Sequence, residues 1–293
     1  MSVSEALGER REVSLPQGTI RYRERGTGEP IVFIHGALVN ADLWRKVVPL
    51  LAPDFRCIAP DLPLGSHELP MPDTTDLSPP AIATMIGDFL DALDLQNVTL
   101  VGNDTGGGLC QMLVTQRPDR VARLVLTNCD GFEVFPPKLF ELVFATAKLP
   151  GGMFMLAQTM RFRPMRRLPI AYGWLSNGHP EREVSDGWVD PVRTNKGVRR
   201  NTAKFLRSID KEQMLSAARK LGDFKRPVLL AWADDRFFTM ELGRRIAAAF
   251  PDARIEVVPD SRTFVAEDQP ERLAELVGAF AREPAREATA TAS

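Results

Sequence analysis

Short apolar runs alternate along the chain with longer stretches in which apolar residues recur at helical spacing. Pro30–His35 and Val98–Asn103 are mainly apolar runs of the kind expected for strands that are buried on both faces. Ser78 begins a predicted helix that extends to about Leu93, with Pro79 at its first position. Such alternation of strands and helices predicts a mainly parallel sheet with helices on both faces.

This pattern predicts eight strands, the first two joined as a hairpin around Pro16-Gln17-Gly18. The strands are Glu12–Leu15, Thr19–Glu24, Pro30–His35, Arg56–Leu62, Val98–Asn103, Val121–Thr127, Val228–Ala233 and Arg254–Pro259. Further helices are predicted over Gly106–Arg117, Met240–Phe250 and Gln269–Phe280.

The pattern changes after the sixth predicted strand. The segment from Val134 to about Leu221 is rich in Met, Phe and Arg. Pro and Gly interrupt its apolar stretches, and it contains no long β-type run. We interpret this segment as a helical cap inserted over one edge of the sheet. The predicted organisation is a first core part over 1–133, the cap over 134–221, a second core part over 222–282, and a disordered tail over 283–293.

The amino-acid composition argues against several classes of function. The chain has 37 Lys and Arg against 38 Asp and Glu, and it shows no basic stripe of the kind that binds nucleic acid. Cys57, Cys110 and Cys129 lie far apart in apolar segments, so we expect buried reduced thiols, a cytoplasmic location and no metal site. The start of the chain lacks an apolar signal region, and no run approaches the roughly 20 residues of a membrane span. We therefore expect a small-molecule substrate, no cofactor, no nucleic-acid or membrane partner, and a monomer or homodimer.

The turn between the strand Val98–Asn103 and the next helix carries the strongest motif, Gly102-Asn103-Asp104-Thr105-Gly106-Gly107. It matches the nucleophile elbow, a tight strand–turn–helix in which glycines avoid clashes around the central residue. Asp104 would then project above the sheet at a helix N-terminus, which favours an ionised carboxylate. The plain structural alternative is that Asp104 only caps the helix.

Several segments together resemble the α/β-hydrolase superfamily: Pro30–Gly36 with Ala37, the elbow, the strand ending near Asp130, Asp235 after a later strand, and residues 261–271. The resemblance covers about residues 11–135 and 220–282. It implies an α/β-hydrolase fold, with a mostly parallel eight-stranded sheet flanked by helices and a helical cap after the sixth strand. The aspartate in the elbow resembles that of the haloalkane dehalogenase and epoxide hydrolase branch.

The resemblance to that branch implies roles for individual residues. Asp104 would attack carbon and form an ester, and the backbone N–H groups of Ala37 and Thr105 would form the oxyanion hole. The acid member has two candidates: Asp235, where the superfamily usually places it, and Asp130, where some dehalogenases place it. We favour Asp235, although each could instead be a loop cap or a partner of a nearby arginine.

The turn that carries the superfamily's catalytic histidine departs from the pattern, because Thr263 occupies the matching position. Ester hydrolysis needs a general base, and a threonine hydroxyl does not titrate near neutral pH. One of the histidines His35, His67 or His179 could serve instead, although a structural or surface role is favoured for each. Alternatively, Asp104 could act without histidine in an elimination, isomerisation or decarboxylation, or the protein could only bind a ligand.

The residues that select substrate in this branch are also incomplete. Halide is usually held by an indole after the nucleophile, where this chain has Thr105; Trp174 and Trp188 lie in the cap, where packing is the favoured role. Epoxide hydrolases use two cap tyrosines, and only Tyr172 lies there. The cap is rich in Met and Phe, which suggests an apolar pocket. The predicted pocket residues are His35, Tyr172, Trp174, Thr263 and Phe264.

Overall fold

The computed structural model describes residues 5–284, in which eight strands form a single sheet. The strand order is β1-β2-β4-β3-β5-β6-β7-β8; β1 and β2 are antiparallel to their neighbours, and the strands from β4 to β8 are parallel. The strands are β1 Glu9–Leu15, β2 Gly18–Arg25, β3 Pro30–Ile34, β4 Arg56–Pro60, β5 Val98–Asp104, β6 Val121–Cys129, β7 Val228–Trp232 and β8 Ala253–Val257.

Helices connect the strands and cover both faces of the sheet. Short 3₁₀ helices lie at Glu5–Leu7, Ala41–Trp44, Lys138–Phe140 and Leu221–Asp223. The α-helices in the described residues are α1 Val48–Leu51, α2 Pro79–Ala92, α3 Thr105–Gln116, α4 Glu141–Thr146, α5 Gly152–Thr159, α6 Arg163–Arg166, α7 Arg182–Thr194, α8 Lys196–Ser208, α9 Lys211–Ala218, α10 Met240–Ala249, α11 Val265–Asp268 and α12 Pro270–Ala281.

The parallel strands are buried on both faces because successive side chains of a strand point in opposite directions. In β3, Val32 and Ile34 join one hydrophobic cluster with α2, α3 and α10. Ile31 and Phe33 join a second cluster with α1 and α12. This explains why these strands are apolar throughout in the sequence rather than alternating.

The predicted mostly parallel sheet with flanking helices is confirmed, and most strand ends agree within two or three residues. Pro79 opens α2 as predicted, but the Ser78 side chain does not cap the helix, because its hydroxyl bonds Asp76 instead. The short helices α1 and α11 were not predicted, since four residues are too few to show a helical period.

The segment between β6 and β7 is helical, as predicted, with α4 to α9 lying between residues 141 and 218. It contacts the strand ends through Tyr172, whose hydroxyl donates to Leu38 O at 2.8 Å, and through Ser66, whose hydroxyl donates to Trp188 O at 2.7 Å. Within the described part of the chain, no helix is both long and apolar enough to span a membrane. Most of the predicted disordered tail, residues 285–293, lies outside the described residues.

The elbow glycines allow α3 to pack very closely on the end of β3. A Cβ added at Gly106 would lie 2.4 Å from His35 O and 2.5 Å from Ile34 O. These are backbone atoms, so a Gly106→Ala variant must displace a strand end, and we expect it to lose about 3 kcal/mol of unfolding free energy.

Urea denaturation measures the effect of Gly106→Ala, with Gly178→Ala as the matched control. A Cβ at Gly178 meets nothing within 4 Å, so the control is expected to stay within about 0.5 kcal/mol of the wild type. If the two variants were equally stable, the close approach of α3 to the end of β3 at Gly106 would be contradicted.

Candidate active site

The carboxyl ends of neighbouring parallel strands bring most of the predicted site residues to one edge of the sheet. The register pairs Ile34 of β3 with Gly102 of β5, and Asp104 with Cys129 of β6. Residues 36 and 37, Asp104 and Asp130 therefore follow adjacent strands. Asp235 and Thr263 follow β7 and β8, which complete the same edge.

The backbone at Asp104 has the strained geometry expected of an elbow. Its φ of 53° and ψ of −131° are rarely adopted by a residue with a side chain. The side chain does not cap α3, which argues against the simple capping role. A Cβ at Gly36 would lie 2.2 Å from Asp104 Oδ2, so only glycine leaves room there for the carboxylate.

The Asp104 carboxylate accepts hydrogen bonds from the backbone N–H groups of Thr105 and Ala37, the predicted oxyanion donors. Burial raises the pKa of Asp104 to about 7, the two N–H groups oppose that shift, and the charge of Asp235 adds to it. The helix N-terminus therefore does not by itself keep Asp104 ionised, because with a pKa of about 7 the carboxylate and the neutral acid are both present near neutral pH. Desolvation outweighs the helix, because most of the surroundings are apolar.

Asp130, the second candidate for the acid, lies beside Asp104 but is almost completely buried. Burial, reinforced by the charge of Asp104, raises its pKa well above the usual range, and the Thr105 side chain donates a hydrogen bond to it. Its Oδ1 has no hydrogen-bond partner. Burial therefore favours the neutral form of Asp130, which contacts the elbow through Thr105.

Asp235 contacts Thr263, the residue predicted to stand at the position of the superfamily's histidine. Thr263 Oγ1 donates to Asp235 Oδ2 at 2.6 Å, and the N–H groups of Phe237 and Phe238 donate to Oδ1 at 2.7 and 2.6 Å. Thr263 is completely buried. The Thr263 hydroxyl thus links Asp235 to the turn after β8, but it offers no group that titrates near neutral pH.

None of the three histidines lines the cavity that contains Asp104. His35 was predicted as a pocket residue, but it is buried under the turn: its Nε2 accepts from Leu62 N–H at 3.0 Å, so its Nδ1–H donates to Gly36 O at 2.8 Å. Burial lowers the pKa of His35 and of His67 to about 4. His179 is exposed.

Asp104 lines an almost wholly apolar cavity of about 270 Å³. Ala37, Leu38 and Thr105 line it from the strand ends, and the other lining residues fall between Pro136 and Val192, in the helical segment. Thr146 and Thr159 also line it, but their hydroxyls donate to Val143 O and Leu156 O of their own turns. Among the described residues that line this cavity, Asp104 is thus the one with a carboxyl group.

The remaining predicted pocket residues divide into two groups. Tyr172 lines the cavity, and so does Trp188, whose ring packs 5.2 Å from Tyr172 and 5.7 Å from Phe264. Phe264 is buried behind Trp188 and does not line the cavity. Trp174 lies outside the cavity, where the Arg236 guanidinium stacks 4.7 Å from its ring. The prediction of His35, Trp174, Thr263 and Phe264 as lining residues is therefore wrong for this cavity, since each packs behind or beside it.

Two buried amides connect the strand ends in a way that the sequence analysis did not predict. Asn103 Nδ2 donates to Thr263 O at 2.7 Å, tying the elbow to the turn after β8. Asn128 exchanges hydrogen bonds of 2.7 Å with the backbone of Ala233, next to the Asp235 loop. The one sequence feature that could have revealed them is a polar amide at the end of each otherwise apolar strand.

A metal site is not formed by these carboxylates. Within residues 5–284, no three or more His, Cys, Asp or Glu side chains are grouped so that they could hold a metal ion. Cys57, Cys110 and Cys129 are buried and free, as predicted.

Comparison with known proteins agrees with this fold. The family model of the alpha/beta hydrolase fold matches residues 29–270. Haloalkane dehalogenase 2 of Mycobacterium tuberculosis is 29% identical over 274 residues, covering 89% of this chain and 91% of that protein. A 2-hydroxy-6-oxononadienedioate/2-hydroxy-6-oxononatrienedioate hydrolase of Dechloromonas aromatica is 26% identical over 244 residues, covering 81% and 82%. The structure of the epoxide hydrolase CorEH superposes with a TM-score of 0.77 at 20% identity, covering 93% of this chain and 98% of that one.

Proposed function

Since the chain belongs to the alpha/beta hydrolase fold family, we propose that it is an enzyme that acts on a small, mainly apolar electrophile with Asp104 as nucleophile. One observation carries the proposal. The Asp104 carboxylate lies in an apolar cavity at a strained elbow, and the N–H groups of Ala37 and Thr105 orient it. Groups held in a strained backbone conformation are often functional. The proteins compared above include a haloalkane dehalogenase and an epoxide hydrolase, and haloalkanes and epoxides are among the substrates proposed for this chain.

The first chemical step needs only groups that this cavity contains. A carboxylate oxygen of Asp104 forms a bond to the electrophilic carbon, while the bond to the leaving atom breaks and that atom keeps the electron pair. The leaving atom is a halide, or the oxygen of an opened epoxide. The other carboxylate oxygen becomes the ester carbonyl, which the Ala37 and Thr105 N–H groups continue to bind.

The second step, attack of water on this ester, lacks its usual base. Thr263 can orient Asp235 but cannot accept a proton near neutral pH, and the histidines lie away from the cavity. We therefore propose that ester formation is faster than ester hydrolysis, so that the covalent intermediate accumulates.

Supporting roles follow from the same contacts. We propose Asp235 as the acid-position residue, because it bonds Thr263, and Asp130 as a neutral group that holds Thr105. Residues 134–221 are proposed to act as a cap, since most of the cavity wall comes from them. The buried free cysteines favour a cytoplasmic protein, which we propose to be a monomer or homodimer.

The cavity sets the size and polarity of the proposed substrate. Its volume of about 270 Å³ is just below the range of roughly 300–1,000 Å³ typical of drug-sized ligands. Apart from Asp104, no charged side chain of the described residues lines the cavity, so an anionic group on the substrate would lose its hydration without finding a cationic partner there. A small, uncharged, apolar molecule is therefore proposed.

Intact-mass measurement tests the proposal. The protein is incubated with 1-bromohexane and, separately, with styrene oxide, and its mass is compared with that of Asp104→Asn treated in the same way. A stable adduct of the mass expected for one alkyl or hydroxyalkyl group, mapped to the peptide that contains Asp104, is the expected result. No adduct with any of these electrophiles would sink the nucleophile assignment.

The rate of adduct formation should depend strongly on pH. Only the carboxylate is nucleophilic, and burial raises the pKa of Asp104 to about 7. Below pH 7 the protonated acid predominates, so we expect the rate to fall about tenfold per pH unit there and to level off above pH 8. Initial rates from mass spectra between pH 5 and 9 measure this profile. A flat profile, as for a carboxyl group with an ordinary pKa, would contradict the role of burial.

The raised pKa of Asp104 also favours a second candidate. A carboxyl group with a pKa of about 7 is suited to move protons at neutral pH, as in an elimination or isomerisation. In that case no ester would form, and the protein would exchange the α-protons of small apolar ketones in D₂O. Proton NMR detects that exchange, and its loss in Asp104→Asn would assign it to this group.

A further inference from the structure

The surface of the helical segment carries most of the large exposed apolar side chains of the described residues. Eight of the ten such side chains fall between residues 139 and 168, the other two being Leu50 and Val257. Monomeric proteins rarely expose apolar side chains in such concentration without an interaction to cover them. The most relevant are Leu142, Leu149, Met155, Phe162, Met165 and Leu168, which we call the apolar rim.

The apolar rim is continuous with the cavity of Asp104. Leu142, Met165 and Leu168 belong to both: they line the cavity and are 67%, 38% and 41% exposed. These three side chains therefore mark the place where the cavity reaches the surface. A molecule that covered the rim would also cover this entrance.

The same segment carries a strong excess of positive charge. Residues 138–168 contain six Lys or Arg and one acidic residue, Glu141, in a chain whose basic and acidic residues nearly balance. Arg163 and Arg166 pair with Asp186 of α7. Lys138, Lys148, Arg161 and Arg167 are exposed, and the ion pairs of the described residues do not include them.

We propose that the apolar rim and these cations dock the protein on an anionic lipid surface, with the cavity entrance facing the lipid. Apolar side chains enter the boundary between headgroups and acyl chains, while Lys and Arg bind the phosphates. An apolar substrate dissolved in the lipid would then pass directly into the cavity. That delivery rests on the proposed function, whereas the docking does not.

The charge favours a lipid over a second copy of this chain as the occupant. Two copies meeting through this face would bring their cations together, and like charges oppose such an interface. The sequence-based expectation of no membrane partner came from the lack of a spanning segment, and a surface contact needs none.

Sedimentation of the full chain with sucrose-loaded vesicles tests the docking without any substrate. Vesicles of phosphatidylcholine mixed with phosphatidylglycerol are compared with vesicles of phosphatidylcholine alone, at low and high salt. We expect binding to the anionic vesicles that weakens as salt increases. Met155→Ser/Phe162→Ser and Arg161→Glu/Arg167→Glu are each expected to lower the partition coefficient at least about tenfold.

Matched variants separate the rim from the rest of the surface. Leu50→Ser/Val257→Ser removes the two exposed apolar side chains outside the segment, and Arg219→Glu/Arg244→Glu reverses two exposed charges elsewhere. Both are expected to bind like the wild type. No binding to anionic vesicles, or equal loss in rim and control variants, would overturn the proposal. Sedimentation velocity completes the test: self-association that Met155→Ser/Phe162→Ser abolishes, without vesicle binding, would assign the rim to a second copy instead.

Discussion

A Thr263→His variant is expected to hydrolyse the Asp104 ester about 10²- to 10⁴-fold faster than the wild type, the range typical of a positioned general base. Asp235 Oδ2 already accepts a hydrogen bond from residue 263 at 2.6 Å. The same oxygen can accept from the Nδ1–H of an imidazole and so leave Nε2 as the base for water. The wild type should therefore accumulate the ester, and the variant should turn over.

The cost of Thr263→His lies in packing. Thr263 is completely buried, and a larger ring there must displace its neighbours, which typically costs about 1–3 kcal/mol. The lifetime of the ester after removal of excess electrophile, followed by intact mass, separates this cost from the chemistry. Circular dichroism and urea denaturation establish that the variant is folded.

Two further variants at residue 263 serve as controls. Thr263→Gln supplies a side chain of comparable bulk without a base, and Thr263→Val removes the hydroxyl at constant size. Neither should shorten the ester lifetime, because neither can accept a proton near neutral pH. If folded Thr263→His kept the wild-type lifetime, residue 263 would not face the reacting ester.

Asp104→Asn is expected to abolish adduct formation and, at the same time, to make the protein more stable at alkaline pH. An amide cannot act as the nucleophile, so we expect the rate to fall at least about 10³-fold. The amide is also uncharged, so it avoids the desolvation that raises the pKa of Asp104. The same residue thus links activity to a cost in stability.

The sign of the stability change follows from the direction of the pKa shift. The pKa of Asp104 is about 7 in the folded protein and close to 3.8 in the unfolded chain. Wild-type stability from this group is therefore fully present below about pH 4 and is lost as pH rises through 7. The full shift corresponds to about 4 kcal/mol, and the partial exposure of Asp104 reduces the expected loss to about 1–3 kcal/mol.

Urea denaturation at pH 5 and pH 9 measures this difference. Asp104→Asn should gain stability relative to the wild type on going from pH 5 to pH 9. Asp234→Asn is a matched control, because Asp234 is an exposed carboxylate of the β7 loop. If the difference in unfolding free energy between Asp104→Asn and the wild type were the same at both pH values, Asp104 would not be a desolvated acid.

The elbow and its setting could be predicted from the sequence because they are local. The apolar run over β5, the glycines at 102, 106 and 107, and the start of α3 lie within a few residues of one another. Their pattern by itself predicts a tight turn with Asp104 at its apex. The expectation that Thr263 stands at the position of the usual histidine likewise needed only the position of a turn after the last strand.

The properties that decide the chemistry required the tertiary structure. The hydrogen bond between Thr263 and Asp235 joins residues 28 positions apart in the sequence. The hydrogen bond from Asn103 to Thr263 O joins residues 160 positions apart. The pocket predictions at His35 and Trp174 failed because a side chain near the strand ends can face the cavity or pack behind it, and sequence position does not distinguish the two. The raised pKa of Asp104 likewise could not be inferred from the helix N-terminus alone. Desolvation is the sum of contributions from every residue that packs around the carboxyl group, and those residues come from distant segments that only the folded chain brings together.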